Sequence, residues 1–273
     1  MPSGLATECF AVSARGAALL FCVVLTSCGE DRAAVPANPD PVDAASPIDA
    51  AVEYVPTLCE HPAGVSRAPD TIDDAVALSN ALVEVNQQPI GVACFVESLA
   101  RPLHVVAVQS VVSLQPAQGP RSPRIFLFSG NLVMSILPSG EGSDALEFGL
   151  LTTETRSIKA EIHFPLSAPL EPAEPYERIL LEDANLSEER TVCSVCHGFE
   201  RRVESIGFAR AFESLAFRPT PRDLIPLDQV AAEYLTCDTS LEPQRCAMLT
   251  ALFAPGQVYE TVFPESLTTI FGE

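Results

Sequence analysis

The chain has 273 residues, a formal net charge of −20, no Trp and only four Tyr. So acidic a surface repels nucleic acid and anionic lipid headgroups, and leaves a basic protein as the electrostatically favoured partner. The lack of aromatic platforms argues against a carbohydrate-binding module.

Residues 1–27 read as an export signal. Ala17–Thr26 is apolar but far shorter than the roughly 20 residues of a membrane-spanning helix. It runs into Leu25-Thr26-Ser27-Cys28, which resembles the lipobox of bacterial lipoproteins. The resemblance implies that Cys28 is lipidated, becomes the new N-terminus and anchors the chain to a membrane of the cell envelope. Gly29 follows, not the Asp that marks inner-membrane retention in that family, so the resemblance points to the outer membrane. Residues 28–57 then read as an acidic, Pro-rich tether. Pro36, Pro39, Pro41, Pro47 and Pro56 are interspersed with Ala and Asp, and six acidic residues face Arg32 alone. Such a segment cannot build a core, and fully stretched it reaches at most ~100 Å.

The next region, 58–175, predicts an antiparallel β-sandwich preceded by one helix. Thr71-Ile-Asp-Asp74 has the form of a capping box. Ala75, Leu78, Leu82 and Val85 follow on one helical face, and Gln87-Gln88-Pro89 ends it. The period then changes. Ile90–Glu97, Leu103–Leu114, Arg124–Phe128, Asn131–Leu137, Ala145–Leu151 and Ser157–Phe164 are short apolar runs broken by Gly, Pro and Ser, a strand pattern. In the last of them Ile158, Ala160, Ile162 and Phe164 share the inner face. Lys159, the only lysine of the chain, lies with Glu161 and His163 on the outer face. Arg121-Ser-Pro-Arg124, between two apolar runs, reads as a binding loop or, more simply, as an ordinary hairpin connection.

Four prolines between Pro165 and Pro175 mark a boundary, and 176–273 predicts a small, mostly helical module. The fold class expected is therefore α+β, a sandwich followed by helices. Phe208, Phe212 and Leu215 have helical spacing, Asp228 is placed to cap Gln229–Leu235, and Pro243–Phe253 reads as a helix with Gly256 beyond its end.

Beyond the signal and Cys28, six cysteines remain. In an oxidising compartment an even number invites pairing. Neighbours in sequence favour Cys59–Cys94 and Cys237–Cys246, setting Cys193 and Cys196 apart. The latter belong to Cys193-Ser194-Val195-Cys196-His197. Two thiols at this spacing can each form a thioether with a haem vinyl group, and the next residue is placed to bind the iron. The five residues resemble the haem-attachment motif of c-type cytochromes. That resemblance implies covalent haem on Cys193 and Cys196, with His197 as proximal ligand. Met248, the only Met downstream, is the candidate distal ligand; a core role for it is open, as is a five-coordinate iron. His61, His104 and His163 lie upstream and would reach the iron only by docking of the two domains. Arg201 and Arg202 are candidate propionate contacts or a solvated face.

Three other readings of the motif stay open. It is a local disulfide, an active dithiol, or part of a zinc site that would need Cys237 or Cys246 as a further ligand. No G-x-S-x-G, P-loop or H-E-x-x-H is present. The expected function is a lipid-anchored, mono-haem electron carrier, not an enzyme. The rival is a non-redox envelope lipoprotein in which all six cysteines form bridges and the sandwich binds a partner or ligand. Ser113–Ala117 and Ser122–Phe126 resemble stretches of a group of bacterial lipoproteins with no assigned function, so that likeness implies no activity.

Overall fold

Thr71 starts the first helix as the sequence predicts. The computed structural model describes residues 58–113, 115–181 and 189–272. The export signal, Cys28 and all of the tether lie outside the described residues. Helix α1 spans Ile72–Asn86. The Thr71 hydroxyl accepts from the Asp74 N–H, and the Asp74 carboxylate accepts from the Thr71 N–H, so the capping box is complete. Ala75, Leu78 and Leu82 are buried, and Gln87 closes the helix in the left-handed conformation.

The run expected as the first strand is instead α2, Val92–Ser98. Only Ile90 makes a β-bridge, to Leu166. A short continuous apolar run has no period that separates strand from buried helix, and here nearly every α2 side chain is buried.

The strands follow. They are β1 (Leu103–Val108), β2 (Arg124–Ser129), β3 (Leu132–Ile136), β4 (Ala145–Thr153) and β5 (Arg156–His163), an antiparallel run in sequence order. After the short helix α3 (Glu174–Glu177) come β6 (Arg201–Arg202), β7 (Phe212–Leu215) and β8 (Leu224–Ile225). Helices α4 (Leu227–Leu235) and α5 (Pro243–Phe253) precede β9 (Val258–Glu260).

All nine strands belong to one sheet, ordered β6-β7-β5-β4-β3-β2-β1-β8, with β9 parallel to β1. This supports the α+β class and corrects its details. There is no second stacked sheet among the described residues. The boundary expected near 175 does not divide the sheet, because strands from 201–260 extend it at both edges. Alternation reports which face of a strand is buried, not whether a sheet or helices cover it. Here α1, α2 and α5 join Ile125, Met134, Phe148 and Ile162 in one core. The helix expected over Phe208–Leu215 is also corrected: Phe212–Leu215 is β7, paired between β5 and β6.

Cys59 is bonded to Cys94 and Cys237 to Cys246. The second bridge ties the end of α4 to α5. Beside it the buried Arg245 guanidinium pairs with Glu233 of α4 and with Glu242. Among the described residues no helix is long and apolar enough to cross a membrane.

Candidate functional site

The motif sits over the sheet face opposite the helices. Thr191 is its anchor: fully buried, its N–H and hydroxyl both donate to the Glu200 carboxylate. The Thr191 hydroxyl in turn accepts from the Cys193 N–H and caps a 3₁₀ turn over Val192–Val195. The His197 N–H donates to the Cys193 carbonyl at 2.8 Å, which closes the turn and brings Cys193 and His197 to one side.

A pocket of ≈ 190 Å³ lies between the motif and the sheet. Its floor is Arg124 and Phe126 of β2, Ser135 of β3, Glu147 and Gly149 of β4, and Ser157, Lys159 and Glu161 of β5. Cys193, Cys196, His197 and Phe217 line it from above, and the segment carrying Phe263, Leu267, Ile270 and Phe271 lines it as well. Phe263 meets Phe126 and Phe128 edge-on, at 5.1 and 4.9 Å between centroids. The cavity is smaller than the roughly 300–1,000 Å³ of a ligand pocket. Val112, Ile270 and Phe271, which also line it, are exposed apolar residues.

His197 has a defined tautomer. Its Nδ1 lies 2.7 Å from the Leu215 carbonyl, which can only accept, so Nδ1 carries the proton and Nε2 keeps its lone pair. The ring stacks on Phe217 at 5.3 Å. Burial, with the charges of Lys159 and Arg124 nearby, lowers its pKa to about 3, so the imidazole is neutral across the physiological range. Burial pushes the Cys193 thiol up to about 11.

The geometry bears on each of the three other readings of the motif. Cys193 and Cys196 are free thiols, so the local disulfide is not formed and the six cysteines are not all bridged. An active dithiol needs a lowered thiol pKa, and Cys193 is shifted the other way. For zinc, Cys237 and Cys246 are consumed by their own bridge, and among the described residues no three His, Cys, Asp or Glu side chains converge on a metal position.

Met248 occupies the core role that was left open for it beside ligation. It is 2% exposed, within the core on α5, which packs on α2 and α4, and it does not line the pocket. Its helical context puts it on the buried side of α5 with Leu249 and Leu252. None of the upstream histidines lines the pocket either. His61 lies 3.8 Å from buried Glu97, His104 packs against Tyr259, and His163 bonds Glu161. Arg201 pairs with Glu213, and Arg202 with Glu189 and Glu204.

Of the polar floor, sequence reasoning touched only Arg124, in a candidate loop, and missed the residues that converge on it. The Arg124 guanidinium bonds Glu147, Ser113 and Ser135 and lies 4.7 Å from the Phe126 ring centroid. Ser135 donates to the Gln115 side-chain oxygen at 2.7 Å, and the Gln115 amide donates to the Gly142 and Ala145 carbonyls. Ser113–Ala117 and Ser122–Phe126 thus meet in one network. Lys159, on the face of β5 opposite the apolar core, is 9% exposed, and burial lowers its pKa to about 8.

No family model, no curated protein and no solved structure matches this chain.

Proposed function

We propose that the chain is a mono-haem electron carrier of the c-type cytochrome kind, anchored in the bacterial envelope. His197 carries the reading. Its Nδ1–H is committed to the Leu215 carbonyl, and its neutral Nε2 is left as the ligating atom, the usual state of a histidine that binds iron. The donor chemistry fits the group. Two unpaired thiols stand at the required spacing one residue before that histidine, and Phe126, Phe217 and Phe263 give the pocket apolar walls.

Haem would be held by thioethers from Cys193 and Cys196 and by His197, and would supply a one-electron ferric/ferrous couple. The chain's own part is to fix the imidazole and to exclude water with the aromatic walls. A macrocycle overfills a cavity of ≈ 190 Å³, and the exposed apolar rim of Val112, Ile270 and Phe271 is the surface it would cover. In this reading the protein is a carrier and not an enzyme. Cys28 carries the lipid and the tether extends from the membrane, with the outer membrane as its location. The net charge of −20 favours a basic redox partner.

The test is covalent haem on the mature chain, residues 28–273 with Cys28 replaced, exported from a bacterial host with a cytochrome c maturation system. The expected result is a haem-stained band that survives SDS and is lost in Cys193→Ala and Cys196→Ala. A colourless, folded protein from the same host overturns the reading.

A further inference from the structure

A glycine inside a strand weakens it, and often marks a place where the backbone bends or a ligand comes close. Gly149 stands in the middle of β4, opposite Lys159 of β5, and its φ is not in the left-handed region. What it provides is room. A Cβ at Gly149 would lie 3.6 Å from the Ser157 hydroxyl and 4.0 Å from the Lys159 amine. Both groups therefore border one small space in the floor of the pocket, which all three residues line. The Ser157 hydroxyl is buried and, among the described residues, has no hydrogen-bond partner; the same holds for Ser214, opposite it on β7. A buried hydroxyl left in that state is costly, and a ligand oxygen over Gly149 would accept from it.

We propose that the pocket binds a small monocarboxylate with an apolar body. The carboxylate would lie over Gly149, between the Ser157 hydroxyl and the Lys159 ammonium, and the body among Phe126, Phe217 and Phe263. The acids that line the pocket do not compete for the lysine, because each has a partner of its own. Glu147 pairs with Arg124, Glu161 with His163, and Asp223 accepts from the Thr220 hydroxyl at 2.6 Å. The aromatic walls offer a strongly hydrated inorganic anion nothing in exchange for its water. A cavity of ≈ 190 Å³ suits a ligand smaller than those of the roughly 300–1,000 Å³ pockets. The inference goes beyond the haem reading and does not rest on it, since it uses the sheet floor and neither thiol.

The experiment is calorimetric titration of the mature chain, residues 28–273 with Cys28 replaced, exported from a host without a cytochrome c maturation system. Benzoate and hexanoate are the probes, and saturable binding of at least one is expected, with none for inorganic phosphate. Benzamide, which lacks the charge, should bind about tenfold or more weakly than benzoate, and Lys159→Met should cost benzoate a similar factor. Gly149→Ala is the steric test. Its methyl would meet nothing closer than 3.6 Å, so the circular dichroism and Tm should stay as in the wild type while carboxylate affinity falls. A folded wild type that binds neither carboxylate overturns the inference. So does benzamide binding as tightly as benzoate, or an affinity unchanged in Gly149→Ala. Each of these results leaves the haem-staining test untouched, and a colourless protein in that test leaves this inference standing.

Discussion

Lys159 and His197 show what single residues reveal and hide. Cys193, Cys196 and His197 were legible because their spacing is itself the chemistry. Lys159 was placed correctly with Glu161 and His163 on one face of β5, but a period of two does not say what covers that face. In fact the 191–199 segment and the chain near Phe263 cover that face. Arg124 was hidden for the same reason: a local reading of a hairpin connection cannot see that Ser113, Ser135 and Glu147 converge on it. A residue-scale prediction concerns His61. Burial, then the charge of Arg67, holds its pKa below the ordinary 6.5, against the opposing pull of Glu97; Arg101 adds to the lowering. The unfolded chain therefore takes up this proton first. The stability His61 contributes is present above pH 6.5 and is lost as the pH falls through that value toward the folded pKa. Urea midpoints measured at about pH 7.5 and about pH 5 should differ less in His61→Gln than in the wild type. An unchanged difference would assign the acid sensitivity to other groups.

At the scale of elements, α1, β2–β5 and α5 were readable because each carries a full period with a capping or turn signal at its end. The segments α2 and β7 were not. One is buried nearly all round and the other is too short to show alternation, so tertiary packing decided both. The two disulfides make a graded comparison. Cys59–Cys94 closes a separation of 35 residues and Cys237–Cys246 one of 9. Chain entropy gives them about 4 and about 2.5 kcal/mol respectively. Replacing the first pair by alanines should therefore lower the unfolding free energy by about 1 kcal/mol more than replacing the second. Denaturant titration of the two double variants measures this, and equal losses would mean that the short bridge acts through the folded packing of α4 on α5.

At the scale of the whole molecule, the α+β class was legible from the shift in period, but the architecture was not. The proline cluster before Tyr176 looked like a domain boundary, yet the chain beyond it returns to both edges of the sheet that the first half began. One edge ends in Arg201 and Arg202, exposed and only two residues long. The other is closed differently. Along the outer side of β1, β8 pairs with Ala107 and Val108, and β9 with Leu103 to Val105. A row of unpaired backbone groups on an apolar strand is a template for further strands from other chains, and short charged edges or a covering segment remove it. Cutting the chain after Pro255 would uncover Leu103–Val105, so the truncated protein should self-associate, seen as a rise in light scattering that the intact chain does not show. The end of the chain thus has two places in the fold: β9 covers the backbone edge of β1, and the segment after it, with Phe263 and Leu267, lines the pocket.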